Sequence, residues 1–291
     1  MEAAIIEQLR RSVNVKLHQT LENAPLIYDD YGRVELRKIY QNYIDIALKA
    51  KTPLLMCTPT WRANQSRVVR SNVNHSINSD AVHFMQGLRD LQMPCKGVIK
   101  IGGLIGCKND CYRPNEGLST NESEQFHSWQ INQLTGAGVD FLIAETLPNI
   151  KEAIGIAKAM ERTGIPYIIS FIISRNGYVL DGTDLNVAVD MIDSETNQNP
   201  FGFMVNCAYP TFLCAEKQPK KLFNRLIGYL ANASSLDHCN LDGANQLETE
   251  NVSHWGDEML VLNRSYGLKI LGGCCGTGNE HLQYIVDKFC R

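Results

Sequence analysis

No apolar run in the 291 residues approaches the roughly twenty needed to cross a bilayer, so a membrane-spanning helix is not expected. Excess charge of either sign is also missing. Lys and Arg number 28 against 31 Asp and Glu, a net charge of -3 with the signs intermixed. That gives neither the basic footprint of a nucleic-acid binder nor a polybasic stripe for a membrane surface, and a small-molecule partner is expected instead. Met1-Glu2-Ala3-Ala4-Ile5-Ile6-Glu7 lacks the pattern of a secretory signal. Ten cysteines without an export signal point to a reducing, cytoplasmic setting in which thiols stay free to bind metal. There is no CxxC or HxxxH frame either, so any metal site must be assembled from residues far apart in sequence.

Apolar residues make up 44% of the chain, ample for one core, and α/β barrels of this length fold as a single domain; residues 1–291 are read as one. The chain is organised around Lys269-Ile270-Leu271-Gly272-Gly273-Cys274-Cys275-Gly276-Thr277-Gly278. This is a short buried strand followed by a glycine-bounded turn. Adjacent cysteines strain a disulfide, whereas two neighbouring thiolates at a strand end can reach one soft metal ion. Phe201 to Cys207 is a second strand with a cysteine at its C-terminal end, before a loop marked by Pro210. Three thiolates, from Cys207, Cys274 and Cys275, leave the fourth position of a tetrahedral zinc ion open, which is what distinguishes a catalytic zinc site from a structural one. Cys57, Cys95, Cys214, Cys239 and Cys290 are read as small buried hydrophobes, and Cys107 and Cys111 as two loop thiols. His127, His254 and His281 have polar neighbours and are read as surface or capping residues.

Along the chain, residues 2 to about 22 read as a helix, with Ile5, Ile6, Leu9, Val13 and Leu17 on one stripe. A second helix follows through Leu36 to Leu48. Strands are then expected at Leu54–Cys57, Gly97–Gly102, Asp140–Ala144, Tyr167–Ile172, Phe201–Cys207, Leu226–Leu230 and Ile270–Leu271. They alternate with helices near Ala81 to Leu91, after a capping box at Ser119–Glu122, from Asn149 to Arg162, near Leu185 to Ile192, around Lys220 and Lys221, from Trp255 to Asn263 and from Asn279 to Phe289. This alternation implies parallel strands and a (β/α)8 TIM-type barrel, with an open doubly wound sheet as second choice. Only seven strands are convincing; the first strand of a full barrel is truncated or missing, or hidden in Met1 to Ile6 under a helical pattern. Glu145, Cys207 and the Cys274–Cys275 pair lie at three strand ends, which a barrel mouth gathers into a ring. Trp61, Tyr209 and Phe171 are candidates for an aromatic wall.

The phrases Leu271-Gly272-Gly273-Cys274-Cys275-Gly276-Thr277, Val205-Asn206-Cys207 and Ala144-Glu145-Thr146-Leu147-Pro148 resemble the three signatures of the homocysteine S-methyltransferase family, in their usual order, and the resemblance runs from about Val34 to the C-terminus. It implies a barrel, Zn2+ held by Cys207, Cys274 and Cys275, and transfer of a methyl group to a thiol, usually homocysteine, from S-methylmethionine, S-adenosylmethionine or betaine, giving methionine. The substrate ammonium is then held partly by Glu145, with Asn206 and Glu2 as further substrate contacts. Family members begin with a strand ending in an acidic, glycine-rich turn. Here Glu2-Ala3-Ala4-Ile5-Ile6 stands in its place, with Glu2 at the acidic position and the glycines replaced. The alternatives are a non-catalytic relative that binds zinc or a thiol, and a metal-assisted hydrolase, although hydrolytic zinc sites favour histidine and carboxylate ligands.

Overall fold

The computed structural model describes residues 1–13, 15–92, 95–237 and 249–289. Seven parallel strands form one sheet in strict chain order: β1 (Leu54–Cys57), β2 (Ile99–Gly106), β3 (Phe141–Leu147), β4 (Tyr167–Phe171), β5 (Gly202–Ala208), β6 (Leu226–Ala231) and β7 (Ile270–Gly273). An open doubly wound sheet reverses its strand order partway, and no such reversal occurs here.

The two edges of this curled sheet, β1 and β7, face the first residues of the chain. The Met1 nitrogen donates to the Leu271 carbonyl at 2.7 Å, and Gly273 N donates to the Glu2 carbonyl at 3.1 Å. On the other side Glu2 N donates to the Leu55 carbonyl at 3.1 Å. Residues 1–4 are therefore extended and bridge β7 to β1, which corrects the expected helix over residues 2 to 22. Among the described residues of that span only α1 (Ile6–Arg10) is an α-helix, and Val13, placed on the supposed apolar stripe, is 99% exposed. The unpaired backbone of two strand edges outweighed a weak helical period. The missing first strand is thus supplied by residues too few to carry a strand pattern.

The lumen is filled by Met1, Cys57, Phe141, Ile143, Ile168, Met204 and Leu230, with Leu104 and Ile270 packed against them, so every strand and the N-terminal segment contribute. Outside the sheet pack α2 (Asp30–Lys49), α3 (Gln65–Ser71), α4 (Ile77–Asp90), α5 (Thr120–Gly136), α6 (Ile150–Glu161), α7 (Leu185–Glu195), α8 (Val252–Tyr266) and α9 (Asn279–Phe289). Their starts are chemically marked. Asn149 accepts from Lys151 N and Glu152 N, Asp184 from Asn186 N and Val187 N, and the Ser119–Glu122 capping box is formed. No α-helix forms around Lys220. The β5–β6 crossover is instead made of short 3-10 turns at Pro210–Leu213, Ala215–Lys217 and Lys220–Asn224. Pro210 and Pro219, each opening a turn, break the run into pieces too short for an α-helix.

Closure of the barrel depends on close approach at Gly272. A β-carbon there would lie 2.6 Å from the Glu2 carbonyl oxygen and 2.7 Å from Leu230. Gly272→Ala is expected to lower stability by about 1–3 kcal/mol through overpacking. The check is urea unfolding, with a lower midpoint at unchanged slope.

Candidate active site

The carboxyl ends of the strands surround a cavity of about 480 Å³, lined among others by Glu2, Trp61, Glu145, Asn206, Cys207, Cys274 and Cys275. The ring of strand-end residues expected from the alternation is therefore assembled. Cys207, Cys274 and Cys275 bring their sulfurs within 4.8 Å of one another.

Two local devices aim these thiols. At the end of β7, Cys274 N donates to the Ala231 carbonyl at 2.7 Å, and Gly276, with φ 80°, turns the chain. The Thr277 hydroxyl donates to the Cys274 carbonyl at 2.6 Å and accepts from Ala4 N at 3.2 Å, which fastens the cysteine turn to the N-terminal segment. At the end of β5 the alternation itself is broken. Met204 faces the lumen and Val205 the helices, so Cys207 in regular register would face the helices too. Instead Cys207 takes φ 54° within an irregularity between Asn206 and Ala208. β3 does the same at Thr146, with φ 62°, in the bulge between Ala144 and Leu147. A β-branched residue in the left-handed region is rare and costs free energy, and bulges with such residues commonly re-aim side chains next to active sites.

Asn206 holds both turns. Fully buried, it accepts from Thr146 N and from the Ser170 hydroxyl, each at 2.8 Å, and donates to the Thr146 hydroxyl at 3.0 Å. Its amide is thus committed to neighbouring protein groups at the cavity wall.

Glu2 and Glu145 share the cavity, and among the described residues neither forms an ion pair. The Glu2 carboxylate accepts Cys57 N at 3.1 Å through both oxygens. Burial pushes the Glu2 carboxyl well above its ordinary range; the Cys57 amide works against this and the Glu145 charge adds to it. Burial also raises Glu145, to about 7. The Met1 ammonium is a minor influence that lowers Glu2, and two carboxyls outside any ion pair in one cavity form a pocket for a small cation.

The thiols interact strongly. Hydrogen bonding from Cys207 and Cys274 holds the Cys275 thiol well below its ordinary value, and bonding to Cys274 and Cys275 pushes Cys207 up. Cys275 is exposed, whereas Cys207 and Cys274 are half-buried. Sulfurs about 3.8 Å apart suit a tetrahedral ion with metal–sulfur bonds near 2.3 Å, so small movements of three side chains already in contact fit the group to zinc.

Other expectations meet mixed outcomes. Cys107 and Cys111 are buried; burial raises Cys107 to about 12, and its thiol rests on the Asn109 carbonyl at 3.4 Å. Among the described residues the only cluster able to hold a metal is the Cys207, Cys274, Cys275 triad. Cys57 is buried as expected, but Cys214 is half-buried, with φ 46° and its thiol on the Arg175 carbonyl. Cys239 and Cys290 and the side chain of Cys95 lie outside the described residues. His127 is not a surface residue. It is fully buried and 3.1 Å from Glu152, whose carboxylate also accepts Lys108 N and Leu118 N and so anchors both ends of the loop carrying Cys111 and Tyr112 over the cavity. His281 accepts from Gly278 N in a capping contact but is buried beneath Trp255.

Of the aromatic candidates only Trp61 lines the cavity. Its carbonyl and ring lie 2.6 Å from where a β-carbon at Gly106 would sit, so only glycine fits there, and the Arg62 guanidinium covers its ring at 4.0 Å. Tyr209 and Phe171 are core residues, the latter stacked on Phe203. The polar and aromatic mixture of Thr58 to Asn64 suits a pocket wall, and Trp61 and Arg62 of that loop line the cavity, whereas sequence reasoning gave no role to Thr146 or Arg67. A positive φ at threonine has no sequence signature.

Fold and site together define a parallel α/β barrel whose mouth carries three clustered thiols and two buried carboxyls outside any ion pair among the described residues. A family model described as homocysteine S-methyltransferase matches residues 1–289, and the chain belongs to that family. The match includes the N-terminal segment that the sequence resemblance, starting near Val34, left out. Homocysteine S-methyltransferase YbgG of Bacillus subtilis is 27% identical over 183 residues, 60% of this chain and 55% of the relative. Homocysteine S-methyltransferase 4 of Zea mays is 27% identical over 182 residues, 59% of this chain and 50% of the relative. The matched stretch spans about half the length of these curated relatives. The metallated form of the homocysteine methyltransferase MmuM from Escherichia coli shares the fold, with a TM-score of 0.76 at 16% identity over 99% of this chain and 95% of that one.

Asn206→Ala leaves Thr146 N and the Ser170 hydroxyl without their partner. It is expected to cost about 2–3 kcal/mol of stability and to weaken metal binding about tenfold or more. Chelator competition with cobalt as a spectroscopic probe measures the second effect.

Proposed function

We propose that this chain transfers a methyl group from a small onium donor to a thiol, with homocysteine the acceptor and methionine the product, and that it works with zinc held by Cys207, Cys274 and Cys275. The observation that carries this reading is the convergence of three thiol sulfurs within 4.8 Å in a cavity that also holds two buried carboxyls outside any ion pair among the described residues. Held by the three cysteines, zinc would supply a Lewis acid that lowers the pKa of an incoming thiol, so that the acceptor would be nucleophilic at neutral pH. A free thiol, with a pKa near 8.5, is only a few per cent ionised at pH 7.

The chain's own residues supply position. Glu2 and Glu145 receive the acceptor's ammonium, which fixes the acceptor sulfur over the cysteines. The Cys111–Tyr112 loop and Trp61 cover the cavity and limit water. Bond making and breaking balance without a general base: the acceptor thiol releases its proton to solvent on binding, and its sulfur forms the new bond to the methyl carbon. The donor's carbon–heteroatom bond breaks, and its electron pair leaves with a neutral thioether or amine. Alignment of two substrates in this way supplies several kcal/mol of barrier lowering. Asn206 acts as a positioning residue through Cys207 and Thr146, its side chain being already committed to protein groups.

Cys207→Ala is expected to lower zinc content below half of wild type and to abolish methyl transfer from S-methylmethionine or betaine to homocysteine. Full zinc occupancy in that variant, by elemental analysis, removes the ligand assignment. Glu145 adds a pH test. Its pKa of about 7 lies above the unfolded value, so the site loses carboxylate charge as pH falls through about 7. Methionine, which has the ammonium but no free thiol, is expected to bind several-fold more weakly at pH 6 than at pH 8. In Glu145→Gln the affinity is expected to be low and nearly flat across that range, measured by calorimetry.

A further inference from the structure

Three arginines, Arg10, Arg62 and Arg67, line the cavity wall. Arg10 is neutralised by Glu7 and Glu22. The other two have no carboxylate partner within ion-pair distance among the described residues. Arg62 Nη1 donates to the carbonyls of Asn109 at 2.6 Å and Cys107 at 3.5 Å, and Arg67 donates to those of Thr20 at 2.9 Å and Lys108 at 3.4 Å. Two guanidiniums thus bond to three consecutive carbonyls and stand side by side. Burial lowers the Arg67 pKa, and the Arg62 charge is the next contribution. The acids nearest in the lining are engaged elsewhere, Glu22 with Arg10 and Asp110 with Arg113. Arg62 also lies 4.0 Å over the Trp61 ring and hydrogen-bonds the Cys107 thiol, but no carboxylate among the described residues reaches it.

Two adjacent, half-buried positive charges repel each other and lose hydration, and the carbonyls return only part of that cost. A planar oxyanion accepting from both forks would relieve it, because guanidinium geometry matches a carboxylate bidentately. Glu2 and Glu145, the groups proposed for the acceptor's ammonium, bond to neither arginine. Glu2 and Glu145 therefore stay available to a cation while Arg62 and Arg67 stay available to an anion, although Glu22 also acts on Arg67.

We propose that Arg62 and Arg67 form a carboxylate-binding subsite for the second small molecule of the reaction, separate from the place of the acceptor's ammonium. The proposal deepens the methyl-transfer reading: a zwitterionic onium donor would enter with its carboxylate on the arginines and its methyl-bearing centre toward the thiols.

The test uses the full chain and does not depend on turnover. Phenylglyoxal modification of Arg62 and Arg67 is followed by peptide mass spectrometry in sodium chloride and in sodium acetate at equal ionic strength. Both guanidiniums are expected to react in chloride and to react at least fivefold more slowly in acetate. In Arg62→Gln, acetate protection of Arg67 is expected to vanish. Equal rates in the two salts, or no reaction in chloride, overturns the proposal, since the arginines then only tie the 107–109 loop. Inorganic phosphate protecting at a tenfold lower concentration than acetate overturns the carboxylate assignment. Methyl transfer assayed on the same preparation keeps the two claims apart: absent transfer with intact protection counts against the reaction, and intact transfer without protection counts against the subsite.

Discussion

The site stands on the backbone ladder that draws the first four residues between β7 and β1. Gly273 N on the Glu2 carbonyl and Glu2 N on the Leu55 carbonyl join the two ends of the sheet, and the same segment delivers the Glu2 carboxyl into the cavity. Ala4 N then reaches the Thr277 hydroxyl, which holds the Cys274 carbonyl. Closing the barrel and orienting the cysteine pair are therefore one set of hydrogen bonds. An eighth strand reduced to a few residues suffices because edge strands already present the complementary groups, and pairing them removes the exposed edges altogether.

Across the mouth a second constraint operates. Regular strand alternation would send Cys207 toward the helices, and the left-handed turns at Cys207 and Thr146 send both strand ends inward. The unfavourable backbone is offset by the three hydrogen bonds of Asn206 and by the packing of fully buried neighbours such as Ser170. Strain and metal-ligand geometry are coupled in this arrangement, because the residue in the disfavoured conformation is itself one of the three thiols.

In the cavity the thiols, Glu2 and Glu145 lie around the strand ends, while Arg62, on the loop after β1, and Arg67, on α3, are tied to carbonyls of a second loop, 107–112. The Glu152 carboxylate, through Lys108 N and Leu118 N, holds that second loop against the helices, so a buried acid far from any substrate fixes the roof of the site. The aromatic side chains contribute less than the composition suggested. Trp61 already carries a cation on its face, and Phe171 and Tyr209 serve the core.

The order of strands and helices, the parallel barrel and the identity of Cys207, Cys274, Cys275 and Glu145 as strand-end residues were legible in the chain, because hydrophobic period and turn chemistry act over a few residues at a time. The short crossover after β5 was misjudged at Lys220, where prolines override a local helical tendency. What only the folded chain decided is long-range: that residues 1–4 are extended and bridge β7 to β1, that Asn206 braces Thr146 and Ser170, that His127 is buried against Glu152, and that Arg62 and Arg67 stand together. Each depends on partners some twenty-five to nearly three hundred positions away or on a backbone angle that side-chain identity does not encode. A period-based reading of neighbouring residues has no access to either.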